Sequence, residues 1–227
     1  MNALKFATAA ALLAAVILFC TGAGRADAVR RVDTEEKVVA LTFDDGPHPT
    51  LTAEILDILG EYGAKATFFV IGKNASLYPD ALRMAVSQGH EIGNHTFSHG
   101  NVASMNAEAA AQEILLAENE ILSVSGALTR LVRPPGGCVT GVLTDAAKKL
   151  GYKVILWSVD TRDWAHRNTA GIVSDIKEKV VPGSIILFHD YVSGATHTSD
   201  ALRIALPYLK EAGYSFVTVS ELIKMKN

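Results

Sequence analysis

Short apolar segments rich in β-branched residues alternate with amphipathic helical segments along most of this chain. This alternation limits the possible folds more than any other feature of the sequence. The first apolar segment, residues 37–43, ends at the turn sequence Asp44-Asp45-Gly46-Pro47. Further apolar segments lie at 66–71, 129–132, 153–159, 184–188 and 215–219. With about seven βα units, we expect an α/β fold: a distorted or incomplete (β/α) barrel with the active site at the C-terminal ends of its strands.

The first 28 residues have the pattern of an export signal. Lys5 precedes an apolar run over residues 6–20, and Ala26-Asp27-Ala28 offers small residues for cleavage. We therefore expect a signal peptide at 1–28, one catalytic domain at 29–227, and a secreted or cell-envelope location. An uncleaved membrane anchor is the alternative, because residues 6–23 approach the ~20 residues that cross a bilayer. Membrane association is expected only in that case.

The composition excludes several classes of function. Hydrophobic residues make up 49% and charged residues 20% of the chain, which is typical of a globular domain. Lysine and arginine number 21 against 24 acidic residues, so there is no basic excess to bind nucleic acid. No repeat period is visible, and nothing in the sequence implies a protein partner.

Ionisable or turn residues follow nearly every predicted strand. The clusters are Asp44-Asp45, His95-Thr96-Phe97-Ser98-His99, Arg133-Pro134-Pro135-Gly136-Gly137, Asp160-Thr161-Arg162-Asp163-Trp164 and Leu187-Phe188-His189-Asp190. Because the C-terminal ends of parallel strands meet at one edge of a sheet, we expect these clusters to converge there.

His95 and His99 are four residues apart, a spacing that places two imidazoles on one side of a helical turn. An aspartate at a strand end is a suitable third ligand, and this set leaves an open coordination position, as catalytic zinc requires. Neighbouring carboxylates on an extended segment point to opposite sides. One aspartate of the pair can then bind metal while the other serves as a base.

At these residues the sequence resembles the polysaccharide deacetylase family, carbohydrate esterase family four, which includes chitin-oligosaccharide and peptidoglycan N-deacetylases. Five motifs carry the resemblance, in order: Thr42-Phe43-Asp44-Asp45-Gly46, His95-Thr96-Phe97-Ser98-His99, Arg133-Pro134-Pro135-Gly136, Asp160-Thr161-Arg162-Asp163-Trp164 and Leu187-Phe188-His189. The resemblance extends over about residues 37–222, nearly the whole predicted domain.

The resemblance implies a role for each matching residue. One divalent metal ion, zinc first, with cobalt, manganese or nickel as alternatives, would be held by Asp45, His95 and His99. Asp44 would be the catalytic base and Arg133 would pair with it. His189 would be the general acid, and Asp163 would stabilise its imidazolium form.

The resemblance also implies a substrate side. The backbone N–H of Gly136 would stabilise the oxyanion, and Pro135, Trp164 and Leu187 would line the substrate pocket. Many family members carry tyrosine where this chain has Gly136, so the groove is expected to be wider here. His48 is expected to shape a loop on the substrate side.

The function implied is that of a metal-dependent polysaccharide N-deacetylase, a hydrolase acting on carbon–nitrogen bonds other than peptide bonds. Its expected substrate is an N-acetylated glycan, peptidoglycan first and chitooligosaccharides next, and its expected product is acetate. Two alternatives are O-deacetylation of xylan at the same site and a catalytically silent glycan-binding domain.

Overall fold

The computed structural model describes residues 28–226 of the chain. The predicted signal peptide, residues 1–28, therefore lies outside the described residues except for Ala28. The strands are β1 (Val38–Asp44), β2 (Ala66–Val70), β3 (Glu91–Asn94), β4 (Leu131–Val132), β5 (Lys153–Val154), β6 (Val159–Asp160), β7 (Ile185–His189) and β8 (Ser215–Phe216). These strands pair in parallel in the order β5-β4-β3-β2-β1-β7-β6, and β8 pairs with β1.

Helices connect the strands and cover the sheet. They are α1 (Leu51–Glu61), α2 (Gly72–Leu77), α3 (Pro79–Ser87), α4 (Ala107–Ser125), α5 (Gly141–Lys149), α6 (Thr169–Lys179), α7 (Thr198–Glu211) and α8 (Val219–Lys224). Between residues 28 and 226, none of them combines the length and apolar character that crossing a bilayer requires. The predicted distorted (β/α) barrel is confirmed.

One predicted strand is divided into two in the structure. The apolar segment 153–159 forms β5 and β6, which pair with β4 and β7 at the two ends of the strand order. Residues 155–158 cross between these ends: the Ile155 N–H donates to Val132, whereas the Ser158 N–H donates to Ile185. The prediction of a single continuous strand was therefore wrong, because this segment bridges the two sides of the incomplete barrel.

β1 lies in the core, and its seven residues are all buried. Phe43 stacks on Phe68 of β2 and on Phe188 of β7, with ring centroids 5.0 and 5.6 Å apart. The same phenylalanines are register partners across the sheet. Burial of these large side chains favours a single register.

That register determines which side chains meet at the C-terminal edge. Asp44, the last residue of β1, lies opposite His189, the last residue of β7. On the other side, Asn94 ends β3 opposite Val132 of β4, so His95 and Arg133 leave the sheet together. Four predicted functional residues are thus brought to one edge by strand pairing alone.

Candidate active site

The predicted metal ligands lie together at this edge. One ligand atom from each of Asp45, His95 and His99 lies within 4.8 Å of the others. Oδ1 of Asp45 is 3.3 Å from Nε2 of His95 and 3.2 Å from Nε2 of His99. His95 is buried, whereas the side chain of His99 is 39% exposed. The cluster is therefore open to solvent on the His99 side.

The two histidines do not meet through a helical turn, so that part of the prediction was wrong. Residues 95–99 form a bend in which Thr96 and His99 have positive φ angles of 66° and 54°. The carboxylate of Glu113 in α4 holds this bend by accepting hydrogen bonds from the N–H groups of Phe97 and Ser98. The left-handed residues turn both imidazoles toward Asp45.

The tautomer of His95 is determined by its partners. Its Nδ1 lies 2.7 Å from the carbonyl oxygen of Arg133, and because a carbonyl can only accept, Nδ1 must carry the proton. In the neutral imidazole, Nε2 then presents a lone pair to Oδ1 of Asp45, a buried oxygen without a hydrogen-bond partner. Acceptor atoms that face one another at this distance fit a cation between them. The residues present therefore suit a divalent metal ion.

The electrostatics of the cluster also suit a divalent metal ion. Burial alone would raise the pKa of Asp45, but hydrogen bonds and positive charge from the His95 and His99 imidazoles, in their protonated form, hold it well below its usual value. Asp45 in turn raises the pKa of His99. Asp45 thus remains a carboxylate at neutral pH, as a metal ligand must.

Asp44 and Asp45 do not point to opposite sides of the strand, contrary to expectation. Asp45 has a positive φ of 74°, so the chain is no longer extended there. As a result, Oδ2 of Asp44 also faces His95, at 3.8 Å from Nε2. Both carboxylates therefore belong to one site: Asp45 lies beside the two histidines, and Asp44 faces His95.

Arg133 holds the side chain of Asp44 in place. Its side chain is fully buried, and Nη1 donates to Oδ1 of Asp44 at 2.6 Å and to Oγ1 of Thr42 at 2.9 Å. Nη2 donates to the carbonyl of Leu156, and the guanidinium lies 4.1 Å from the ring centroid of Phe69. These contacts leave Oδ2 as the oxygen of Asp44 that faces the site.

His189 and Asp163 form the predicted pair. Nδ1 of His189 lies 2.8 Å from Oδ1 of Asp163, and the fully buried Asp163 also accepts from the His189 N–H and the Thr198 hydroxyl. Burial would lower the pKa of His189, but Asp163, assisted by the charges of Asp44 and Asp45, raises it to about 9. His189 is therefore protonated at neutral pH in the metal-free protein.

The predicted substrate-side residues lie around the C-terminal edge of the sheet, which we call the rim. Gly136 has a φ of 59°, and a Cβ added there would meet nothing within 4 Å. Pro135 is buried beside it, and Trp164 is 50% exposed. Leu187 is buried in β7, two residues before His189, so it shares that residue's face of the strand. Only Trp164 presents a large exposed side chain.

The functional prediction from sequence missed Asp190, which follows His189 directly. It is buried, its Oδ2 accepts from the Thr52 hydroxyl at 2.6 Å, and its Oδ1 is without a hydrogen-bond partner. Burial raises the pKa of Asp190 to about 7. A Cβ at Gly46 would lie 2.1 Å from Oδ2 of Asp190, so the carboxyl packs directly on the turn that follows the metal ligand. The only sequence signal was its place in the fifth cluster.

Asn94 supports the histidine bend. Its Oδ1 accepts from the Thr96 N–H and its Nδ2 donates to the carbonyl of Ile114, both at 2.9 Å. Glu113 supports the same bend from α4, and no motif indicated it. Glu113 is too far from His95 along the chain for the sequence alone to indicate this contact.

Known proteins resemble this chain in sequence and in structure. The sequence profile of the family described as polysaccharide deacetylase matches residues 31–155. A peptidoglycan-N-acetylglucosamine deacetylase of Bacillus cereus is 41% identical over 204 residues, covering 86% of this chain and 92% of that protein. A chitooligosaccharide deacetylase of Azorhizobium caulinodans is 34% identical over 197 residues, covering 82% of this chain and 94% of that protein. The crystal structure of the Bc1960 peptidoglycan N-acetylglucosamine deacetylase superposes with a TM-score of 0.84 at 33% identity, covering 88% of this chain and 94% of that one.

Proposed function

The chain belongs to the polysaccharide deacetylase family, and on that premise we propose that it is a metal-dependent hydrolase that removes N-acetyl groups from an envelope glycan. The observation that carries this proposal is one edge of the sheet where three ligand atoms lie beside an arginine-held carboxylate and an aspartate-held imidazole. Hydrolysis of an amide needs a group that takes a proton from water and a group that protonates the leaving nitrogen. Asp44, which Arg133 holds, suits the first task, and His189, which Asp163 holds, suits the second.

Asp45, His95 and His99 would hold the metal ion, for which zinc is our first choice and cobalt, manganese or nickel are alternatives. Two imidazoles and one carboxylate are a ligand set of catalytic zinc. When bound, such an ion supplies Lewis acidity to a water molecule and to the acetyl carbonyl oxygen. His95 keeps its orientation through the hydrogen bond from Nδ1 to the carbonyl of Arg133.

Asp44 would be the base. The guanidinium of Arg133 donates hydrogen bonds to Oγ1 of Thr42 and to Oδ1 of Asp44. Oδ2 is left as the oxygen that accepts the proton of the attacking water. The pairing with Arg133 also limits rotation of the carboxyl group, which keeps Oδ2 directed toward His95.

His189 would be the acid. Asp163 engages Nδ1, so Nε2 is the atom that delivers a proton to the departing sugar nitrogen. Asp163 raises the pKa of His189, which favours the imidazolium that keeps this proton until the nitrogen departs. We assign the Gly136 backbone N–H to the oxyanion, and Pro135, Trp164 and Leu187 to the walls of the substrate pocket.

The substrate we propose is peptidoglycan, with chitooligosaccharides next, and acetate as the product. The names of the two relatives support both glycans, since one is a peptidoglycan-N-acetylglucosamine deacetylase and the other a chitooligosaccharide deacetylase. We also propose export through the N-terminal signal, since peptidoglycan lies outside the cytoplasm. Apart from the glycan, no partner is proposed.

Mass spectrometry of a peptidoglycan digest, before and after treatment with the purified protein, tests this function. We expect loss of acetyl groups from the sugars, with an equal amount of acetate released. Asp44→Asn protein is the matched control and should leave the digest unchanged. If acetate is released only from acetylated xylan, the protein is an esterase. If the glycan binds but no acetate is released from any substrate, it is a silent binding domain.

A further inference from the structure

Three rings form a cluster on the rim that the mechanism does not use. The rings belong to His48, Tyr78 and Tyr191, which we call the aromatic rim cluster. The His48 ring lies 5.0 Å from Tyr191 and 6.3 Å from Tyr78, and the two tyrosine rings are 6.3 Å apart. All three side chains are half-buried rather than part of the core. Each is therefore partly open to solvent.

The cluster adjoins the reacting groups through all three of its segments. His48 follows Asp45 by three residues, and Tyr191 follows His189 by two. Tyr78 directly follows α2, a helix whose Asn74 donates from Nδ2 to the carbonyl of Asp45 at 2.7 Å. A glycan with one sugar at Asp45 and His189 must extend past the rim, and the cluster is one wall that it can contact.

The ring of His48 is held in position before any ligand binds. Nδ1 of His48 accepts from the N–H groups of Thr50 and Leu51, at 3.3 and 3.1 Å. The Nε2 of the neutral ring therefore carries the proton and can donate to a hydroxyl. Burial lowers the pKa of His48, which keeps the ring neutral at pH 7. A fixed ring costs less conformational entropy on binding than a mobile one.

Gly136 provides no comparable surface. With no side chain there, and with open space where a Cβ would project, that position cannot contribute an aromatic contact. Aromatic faces bordered by hydrogen-bond donors match a pyranose ring, which has an apolar C–H face and hydroxyls at its edge.

We propose that the aromatic rim cluster is a glycan subsite that stacks on the sugar next to the one being deacetylated. The proposal rests on the proposed function, since it assumes a glycan at the catalytic edge. It assigns stacking on the sugar to Tyr78 and Tyr191, and it assigns to His48 a hydrogen bond donated from Nε2 to a sugar hydroxyl. It also makes the enzyme prefer chains over single sugars.

The test compares Tyr191→Ala, Tyr191→Phe and wild type on N-acetylglucosamine oligomers of increasing length. One aromatic contact contributes about 0.5–1.5 kcal/mol, so Tyr191→Ala should lower the ratio of kcat/KM on the longest oligomer to that on the shortest by about 2- to 12-fold. The fall should appear in KM. Tyr191→Phe keeps the ring and should keep most of the ratio, and Tyr208→Ala, a surface tyrosine on α7, is the matched control.

An unchanged ratio in Tyr191→Ala overturns the proposal. So does an equal loss in the alanine and phenylalanine variants, or an equal loss on oligomers of every length. Metal content and thermal midpoint, measured on each variant, should match wild type. If wild type releases no acetate from any oligomer or from peptidoglycan, the proposed function has failed, which is a different result from an unchanged ratio.

Discussion

Replacing Arg133 by methionine should destabilise the protein more than any surface substitution of the same kind. The change keeps much of the side-chain volume but removes the cation that lies 2.6 Å from Asp44, and both side chains are buried. Breaking a buried ion pair from one side costs ~3–5 kcal/mol, because the remaining charge has no partner. The carbonyl of Leu156 and the hydroxyl of Thr42 also lose a donor. We therefore expect a loss of about 3–5 kcal/mol in the free energy of unfolding.

Urea unfolding of the metal-free protein measures this loss without a contribution from metal binding. Arg130→Met is the matched control, because Arg130 also pairs with a carboxylate, Glu118 at 2.8 Å, but its side chain is 60% exposed. That control should lose at most about 1 kcal/mol. Asp44→Asn combined with Arg133→Met should lose about 1–3 kcal/mol less than the sum of the single variants. Equal losses at Arg133 and Arg130, or strictly additive losses in the double variant, would refute the reasoning.

Four further predictions concern the catalytic pairs and two glycines. Asp44→Asn should keep its metal but lose roughly 100- to 10,000-fold in turnover, and a loss below about tenfold with metal bound would place the base elsewhere. The folded protein holds the His189 proton up to a pKa of about 9, so the stability contributed by His189 should be complete below its ordinary 6.5 and lost as pH rises to about 9. Asp163→Asn should abolish that loss and move the alkaline limb of the kcat profile to lower pH, whereas Thr198→Val, which removes one hydrogen bond to the same carboxylate, should move neither. Gly46→Ala should cost about 1–3 kcal/mol in thermal or urea unfolding, because its Cβ would lie 2.1 Å from Asp190, whereas Gly60→Ala in α1 meets nothing within 4 Å and should gain about 0.5–1 kcal/mol. Gly136→Tyr should change the preference among glycans while sparing a small ester, because the backbone N–H remains, and an equal loss on both would indicate backbone strain at the φ of 59°.

The positions of most strands could be predicted from the sequence, because burial and local chemistry agree along those segments, but β3 (Glu91–Asn94) was not among them. Residues 37–43 are apolar and β-branched and end at a turn sequence, and the structure has β1 at Val38–Asp44. The break between β5 and β6 could not be predicted in this way. Residues 155–158 are as apolar as a strand, and only the closure of the sheet determines that they cross between its two ends.

The residues of the site could be predicted better than their geometry. Asp45, His95 and His99 meet as expected, but they do so through the left-handed backbone of Asp45, Thr96 and His99. Regular periodicity assumes extended or helical backbone, so it gave the wrong side for one carboxylate and a helical turn that does not form. Asp190 and Glu113 were missed for another reason, since their effect depends on burial and on contacts that only the folded chain creates.

Metal removal and restoration tests whether the cluster of Asp45, His95 and His99 holds an ion that the reaction needs. The chain is stripped with a chelator, zinc is titrated back, and metal content and acetate release from peptidoglycan are measured together for wild type and His99→Ala. We predict that stripping abolishes acetate release, that activity returns in proportion to bound metal up to one ion per chain, and that His99→Ala recovers neither. Full turnover by the stripped protein, or stoichiometric metal and normal turnover in His99→Ala, would contradict the assignment of this site.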